Sequence, residues 1–292
     1  MRPRTRWEPW LLLAPTLAVL FVFFVLPLGV ALARSFQAWD LLTPPEAVGL
    51  ANYVSLARSG ELLGLAGRTL AYSVVVVAGS MSAGLGLALA LDRPGPLYAF
   101  FRGAVFSAYV VSWVAVALLW MWILDADGGL FTAALRGVGL PTTSWLGNPK
   151  VALYTLAGVT IWKIAGYAMV VFLAGLQDVP RELGEAAALD GAGPVRRFVE
   201  ITWPLLRPSA AFVATTSLIL SFQAFDVVRI MTQGGPVHAT TLFVYAIYEE
   251  VFLDLRVGRA SALTVVFFAL LLALTSLQLW AFRRASRASE TR

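Results

Sequence analysis

Long uninterrupted apolar runs, rather than amphipathic alternation, dominate this chain. A membrane-spanning helix needs about 20 mostly apolar residues at 1.5 Å rise each. Six stretches meet that length: 10–33, 69–91, 103–124, 152–176, 208–230 and 260–282. The first, second, third and sixth carry no charged residue; the fourth contains Lys163, and the fifth carries Asp226 and Arg229 near its end. A weaker run, 240–252, stops at Glu249 and Glu250 and is too short to cross, so it reads as an interfacial or re-entrant helix. Ser80, Gly84 and Ala88 recur every four residues and predict one face of close helix contact in the second span. Pro15 and Pro27 predict kinks in the first span. Trp113, Trp120 and Trp122 suit either an interfacial belt or the core.

Composition agrees with a membrane protein and removes other classes. Of 292 residues, 59% are apolar and 13% charged, with a mean hydropathy of +0.77. A soluble domain carries roughly 45–50% apolar and about 25% charged residues. A soluble globule, a disordered chain and a nucleic-acid-binding domain are therefore excluded as readings. The net charge of +5 is first a topology signal, because basic residues collect on cytoplasmic flanks. With the N-terminus inside, thirteen basic residues fall on inner segments and eight on outer ones. The expectation is an all-α, multi-pass protein with both termini cytoplasmic: residues 1–9 inside, a six-span domain over 10–282, and a basic tail over 283–292. The first run is too long for a signal-peptide core and is not followed by a convincing cleavage site, so it is read as a retained span. The absence of Cys and a single His, His238, exclude a disulfide framework, a Cys zinc site and a Cys nucleophile.

The segment 177–207, between the fourth and fifth spans, is too long and too patterned for a plain connection. Pro180 can open a helix, and Glu182 in its first turn favours the positive helix end. Leu183, Ala186, Ala187 and Leu189 form a small apolar face. Asp190-Gly191-Ala192-Gly193 breaks the helix, with Gly191 free to take positive φ. Pro194 can start a second short helix, with Phe198 and Ile201 on its apolar side and Pro204 closing it. The segment thus predicts a helix–turn–helix on the inner membrane face. Lipid-lying helices carry large apolar groups and many Lys or Arg. Here Ala-Ala-Ala stands beside Glu182, Glu185 and Asp190, which fits a socket in another protein better than an anionic lipid surface.

Glu185-Ala186-Ala187, three residues, Gly191, nine residues, Ile201, one residue, Trp203, Pro204 resembles the EAA loop of binding-protein-dependent ABC importer permeases. Trp203 stands where that family usually has Leu. The runs Trp39-Asp40-Leu41-Leu42, Gly49-Leu50-Ala51-Asn52-Tyr53, Phe172-Leu173-Ala174-Gly175-Leu176 and Thr232-Gln233-Gly234-Gly235-Pro236 resemble the carbohydrate-uptake branch. The ending Arg283-Arg284-Ala285-Ser286-Arg287, without a Gly-rich tail, is closer to the glycerol-3-phosphate or multiple-sugar A type, or the maltose F type, than to the maltose G type. The resemblance implies a type I ABC importer permease fold of six spans in a bacterial or archaeal plasma (inner) membrane. It implies a second permease subunit, two ATPase subunits and an extracytoplasmic solute-binding protein. It also implies that the first loop helix enters a groove on the ATPase: Glu185 makes a polar contact, Ala186 and Ala187 allow close approach, Asp190 and Gly191 set the turn, and Ile201 and Pro204 anchor the loop. No Gly-x-x-x-x-Gly-Lys-Ser/Thr cradle is present, so ATP and its Mg2+ are expected on the separate ATPase and no cofactor on this chain.

Ionisable residues inside a membrane are costly, and each is a functional candidate. Lys163 either lines the pathway, where its cation suits an anionic solute, or pairs with a partner's carboxylate, or snorkels. Gln223 and Asp226 are three apart, share a face if the helix continues, and suit a hydroxyl-rich sugar; Asp226 equally well pairs with Arg229. Three other readings compete. A secondary transporter or channel leaves the loop unexplained, an intramembrane enzyme has no convincing catalytic set, and an assembly subunit passes no solute.

Overall fold

A computed structural model describes residues 8–290. The basic residues Arg2, Arg4, Arg6 and Arg292, and the side chains of Arg283 and Arg287, lie outside the described part. In chain order the helices are α1 (Glu8–Leu20), α2 (Leu26–Arg34), α3 (Ala51–Arg58), α4 (Glu61–Leu91), α5 (Pro96–Val110), α6 (Trp113–Ile123), α7 (Leu130–Gly137), α8 (Ala152–Gln177), α9 (Arg181–Leu189), α10 (Pro194–Arg197), α11 (Trp203–Phe222), α12 (Asp226–Met231), α13 (Phe243–Tyr248) and α14 (Val257–Glu290). Strands β1 (Gln37–Ala38) and β2 (Glu46–Ala47) pair antiparallel. Five helical stretches are long and apolar enough to cross a membrane: Trp10–Arg34, Glu61–Leu91, Ala152–Gln177, Pro194–Phe222 and Val257–Phe282. A sixth arises if α5 and α6, bent by 102° at their junction, count as one span.

That bend corrects the expectation of one straight span over 103–124. Val111 and Ser112 are extended, with ψ of 143° and 140°, although no Gly or Pro stands there. The fifth apolar run also differs from its expected limits of 208–230. It begins at Pro194, upstream of the apolar residues, and stops at Phe222; Asp226 opens a separate helix.

Two prolines expected to kink or close a helix are absorbed. A π-helical turn, Phe21–Val25, lies just before Pro27, with the Leu26 N–H reaching the Phe21 carbonyl. A second, Phe198–Thr202, lies just before Pro204, with the Trp203 N–H reaching the Phe198 carbonyl. Proline lacks a donor and its ring crowds the carbonyl four residues back. Widening the preceding turn by one residue accommodates both defects without ending the helix.

The chain forms two compact units, 1–63 with 246–270, and 64–245 with 271–292. In the first, Gly49 (φ +57°) turns the chain after the hairpin. Asn52 Nδ2 then donates to the carbonyls of Ser35 and Gln37 at 2.8 and 3.0 Å, and Tyr53 Oη to Ser35 Oγ at 2.7 Å. This is what the Gly49–Tyr53 run does locally: it ties α3 to the end of α2. Arg259 bridges Glu61 and Glu250 and donates to Ser55 Oγ at 2.8 Å. Arg256 Nε also lies 3.0 Å from Glu250 Oε2, but off the hydrogen-bonding direction, so this is a charge contact only. Burial pushes the Glu250 carboxyl above the usual carboxylate range, opposed by its hydrogen bond from Arg259.

In the second unit α8 is the central helix, and small residues set how closely its neighbours approach. A Cβ on Gly166 would collide with the Val105 carbonyl and lie 2.9 Å from Phe106 Cα, in α5. One on Gly175 would collide with Ser209 Oγ and lie 2.9 Å from Leu206 Cδ2, in α11. On the four-residue face of α4, one on Gly84 would sit 2.5 Å from Ala168 Cβ, with Ser80 and Ala88 fully buried beside it. Ala88, Met169, Phe172, Ala210 and Val213 close the core. Without a hydrophobic force between helices in lipid, such close contact supplies the association energy. Gly166→Ala should therefore lower the thermal midpoint in detergent by the equivalent of about 1–3 kcal/mol, the usual cost of overpacking. Gly86→Ala, where an added Cβ meets nothing within 4 Å, should leave the midpoint in place. Equal midpoints for the two variants would contradict this packing.

Candidate functional site

The patterned loop begins where α8 ends. Pro180 (φ −61°, ψ 125°) turns the chain, and α9 follows with Glu182 in its first turn. The α9 C-terminus closes in a Schellman motif: the Gly191 N–H donates to the Ala188 carbonyl at 3.1 Å, and the Ala192 N–H to the Ala187 carbonyl at 2.9 Å. Gly191 sits at φ +79°, the left-handed conformation this motif requires. Gly193 then leads into α10, which starts at Pro194 and runs without a break through the π turn into α11. The expected closure of the second helix at Pro204 is thus corrected. Pro204 lies inside one rod, Pro194–Phe222, that joins the loop to a span.

The loop presents a solvent-facing surface. Glu185, Ala186, Asp190 and Gly191 are exposed and Ala187 is half-buried. Leu189, next to the alanines in α9, is 90% exposed, and Val195 of α10 is 75% exposed. Ile201 and Pro204 are half-buried. Trp203 packs against the core around Ala88 and Phe172, with Phe198 6.4 Å from its ring. The indole in place of the usual Leu therefore anchors the rod to the bundle. Beneath α9, Asp92, Gln177, Gly184, Arg197 and Thr202 line a cavity of about 320 Å³. Arg197 Nη1 reaches the Gly184 carbonyl at 3.5 Å across it. The exposed Arg196–Glu200 pair at 3.0 Å adds no more than the few tenths of a kcal/mol usual on a helix surface.

The three ionisable or amide candidates for the pathway lie apart in character. Lys163 is 2% exposed. Its Nζ donates to the carbonyls of Ala108 and Tyr109 at 3.2 and 3.0 Å and to that of Val111, and lies 4.8 Å from the Trp113 ring centroid. The first two are carbonyls of the last turn of α5, which a helix end leaves without internal partners, and the third belongs to the extended residue at the break. The lysine caps the broken span from the side. Gln223 is exposed at the end of α11, and Asp226 is half-buried at the start of α12. The break between them removes the shared helix face that their spacing suggested.

The 232–241 segment ties itself together. Thr240 Oγ1 donates to the Gly235 carbonyl at 2.7 Å, Thr241 Oγ1 to the Gly234 carbonyl at 3.2 Å, and Arg68 Nε to the Thr241 carbonyl at 3.0 Å. The N–H groups of Gly235 and Thr240 are taken by the carbonyls of Thr232 and Gly234. Two main-chain donors of the turn are thus used internally, and His238 is exposed beside it. A polar seam escaped the sequence reading. Ser80 Oγ pairs with Ser217 Oγ at 2.9 Å, Ser221 Oγ with Ser73 Oγ at 2.8 Å, and Tyr72 Oη with Thr160 Oγ1 at 2.6 Å. The signal was present as serines seven apart in α4 and four apart in α11, but only their pairing makes it a seam.

Residues 76–287 match the family described as binding-protein-dependent transport system inner membrane component. The chain belongs to this permease family. Among curated relatives, the permease is 36% identical over 276 residues to the sn-glycerol-3-phosphate transport system permease protein UgpA of Yersinia pseudotuberculosis, covering 93% of each chain. It is 34% identical to UgpA of Salmonella choleraesuis over 277 residues, covering 94% of each. Its fold matches a chain of a bacterial alginate ABC transporter solved in complex with an alginate pentasaccharide-bound periplasmic protein. That match has a TM-score of 0.81 over 96% of this chain and 95% of the other, at 22% identity. A chain of the MetNI methionine ABC transporter matches more distantly, at a TM-score of 0.50 over 76% of this chain and 92% of the other. The permease is thus a multi-pass membrane subunit of an ABC importer with the type I fold, a transport component and not an enzyme. The ATPase of such systems is a separate subunit.

Proposed function

We propose that the permease forms half of the translocation path of an ATP-driven importer for a sugar or sugar-like solute, and couples to its ATPase through α9 and the Gly191 turn. The observation that carries this reading is the loop itself. An exposed, alanine-faced helix is joined through one uninterrupted rod to a membrane span. Displacement of α9 by an ATPase would be transmitted along α10 and α11, a rigid-body form of coupling. In this reading Glu185 makes the polar contact and Ala186 and Ala187 admit the partner's backbone. Asp190 and Gly191 hold the turn, while Ile201 and Pro204 keep the rod against the bundle. The assembly would comprise a second permease, two ATPase subunits and an extracytoplasmic binding protein, with the α9 face cytoplasmic and both termini on that side. ATP and Mg2+ would reside on the ATPase alone.

Glycerol-3-phosphate is the second reading, supported by the UgpA relatives. Lys163 does not supply its anion recognition in this conformation, because its ammonium is engaged by three carbonyls. The test is uptake by cells producing the whole transporter, supplied with radiolabelled maltose or sn-glycerol-3-phosphate. Saturable, ATP-dependent uptake of one of them, together with copurification of a second permease and an ATPase, is expected. ATP-independent solute movement by the chain alone in liposomes would overturn the reading.

A further inference from the structure

The cavity of about 320 Å³ beneath α9 gathers charges of both signs that do not meet. Arg181 of α9 and Arg197 of α10 line it with Asp92, just past the end of α4, Gln177, the last residue of α8, and Thr202 of the π turn. Among the described residues, neither arginine forms an ion pair with Asp92, and the side chains of Asp92, Gln177, Arg181 and Thr202 have no hydrogen-bond partner. Arg197 Nη1 reaches the Gly184 carbonyl at 3.5 Å, longer than a usual N–H···O bond, so its guanidinium is weakly held. Gly184 is half-buried over the cavity, whereas Glu182, Glu185, Ala186 and Leu189 lie on the opposite, exposed face of α9. A protein seated on that outer face leaves the cavity unfilled.

Two guanidiniums in one space suit a phosphate group, whose several oxygens can accept from both. Bare phosphate does not fit the whole lining, because the Asp92 carboxylate only accepts and would face an anion. An uncharged sugar uses the carboxylate and leaves both cations to water. A ligand with a phosphate at one end and hydroxyls at the other answers every group: the hydroxyls donate to Asp92, and the Gln177 amide and Thr202 hydroxyl can give or accept. The volume lies at the small end of the range for small-molecule sites, which matches a compact ester of this kind.

We propose that this cavity binds a phosphate ester carrying free hydroxyls, with Arg181 and Arg197 on the phosphate and Asp92, Gln177 and Thr202 on the hydroxyls. The ligand joins α9 to the ends of α4 and α8. A second consequence rests on the coupling reading of α9: a ligand that ties α9 to the bundle opposes the displacement this reading requires, and so slows ATP turnover. A soluble polyol phosphate and the headgroup of phosphatidylglycerol share the required chemistry.

The test uses the assembled, delipidated transporter in detergent and radiolabelled β-glycerophosphate, a phosphate flanked by two hydroxyls, in equilibrium binding. Saturable binding with a Kd of about 1 mM or below is expected, about fivefold tighter than inorganic phosphate. Arg181→Gln, at an exposed and unpaired position, should weaken β-glycerophosphate about tenfold without loss of yield. Asp92→Asn should bring the preference over inorganic phosphate near one, because the amide no longer repels the bare anion. Dihexanoylphosphatidylglycerol separates the two sources: displacement of the label by it, and not by dihexanoylphosphatidylcholine, assigns the site to the lipid headgroup, and no displacement assigns it to a soluble ester. No saturable binding by the wild-type protein would overturn the proposal. Equal binding of inorganic phosphate would do the same, as would binding that neither substitution changes, which places the label elsewhere. Saturating β-glycerophosphate should also lower ATP hydrolysis by the transporter severalfold. Binding that Arg181→Gln weakens, with hydrolysis unchanged, would count against the coupling reading and leave the site standing.

Discussion

Lys163→Met should reduce the yield of assembled transporter severalfold and its uptake more than tenfold, with a clear fall in the thermal midpoint. The methionine fills a similar volume but cannot donate, so the carbonyls of Ala108, Tyr109 and Val111 lose their donor inside the membrane. An unpaired buried acceptor costs about 1–3 kcal/mol. Removing the ammonium also relieves the cost of keeping a charge out of water, which offsets part of this. Three lost bonds outweigh that relief, and the expected net loss is about 3 kcal/mol. The chain has no cheap alternative at 111–112. Outside lipid, water would satisfy these groups; within the bilayer, non-helical backbone is tolerated only where protein or a wet cavity satisfies it. Detergent melting curves and uptake by whole cells give the two readouts. Normal values for both would show that the bend holds without the lysine.

Glu185→Lys should abolish most uptake, a fall of tenfold or more, while membrane insertion and yield stay normal. Glu185 is exposed in the isolated chain, so reversing its charge costs the fold little. Against an ATPase surface that presents a donor or cation, the reversal leaves like charges or an unpaired charge at a desolvated contact. Truncating one partner of such a contact costs about 2–5 kcal/mol, which is ample to release a subunit. The ATPase should therefore fail to copurify with the variant. Arg196→Ala, which removes only the exposed pair with Glu200, is the matched control and should change uptake by less than twofold. Wild-type uptake and copurification in Glu185→Lys would end the coupling reading of α9.

Much of the loop was readable because its signals are local. A Pro at a helix start, a Gly four residues after an alanine pair and a second Pro–helix start each act within a turn or two. The Schellman bonds at Gly191 and Ala192 are the direct outcome of that local chemistry. The reading of Pro204 as a stop failed for a local reason of a different kind. A π turn has no sequence signature of its own, and it converts a terminator into an ordinary member of a long helix. Gln223 and Asp226 were paired by helix arithmetic that holds only while the helix lasts, and it ends at Phe222.

The sequence by itself determined that this protein lives in a membrane, where most of its long helices lie, and that a patterned segment stands between two of them. Length and hydropathy suffice for that, because the cost of an unpaired backbone group in lipid leaves helices as nearly the only choice. The tertiary structure alone decided that the run 103–124 breaks into α5 and α6 at an angle of 102°. Nothing in Val110-Val111-Ser112 demands a bend. It stands because an ammonium 52 residues further along the chain, at Lys163, meets the carbonyls that the break exposes. A helix end is viable in the membrane only when something arrives to satisfy it, and that arrival is a property of packing, not of the local sequence.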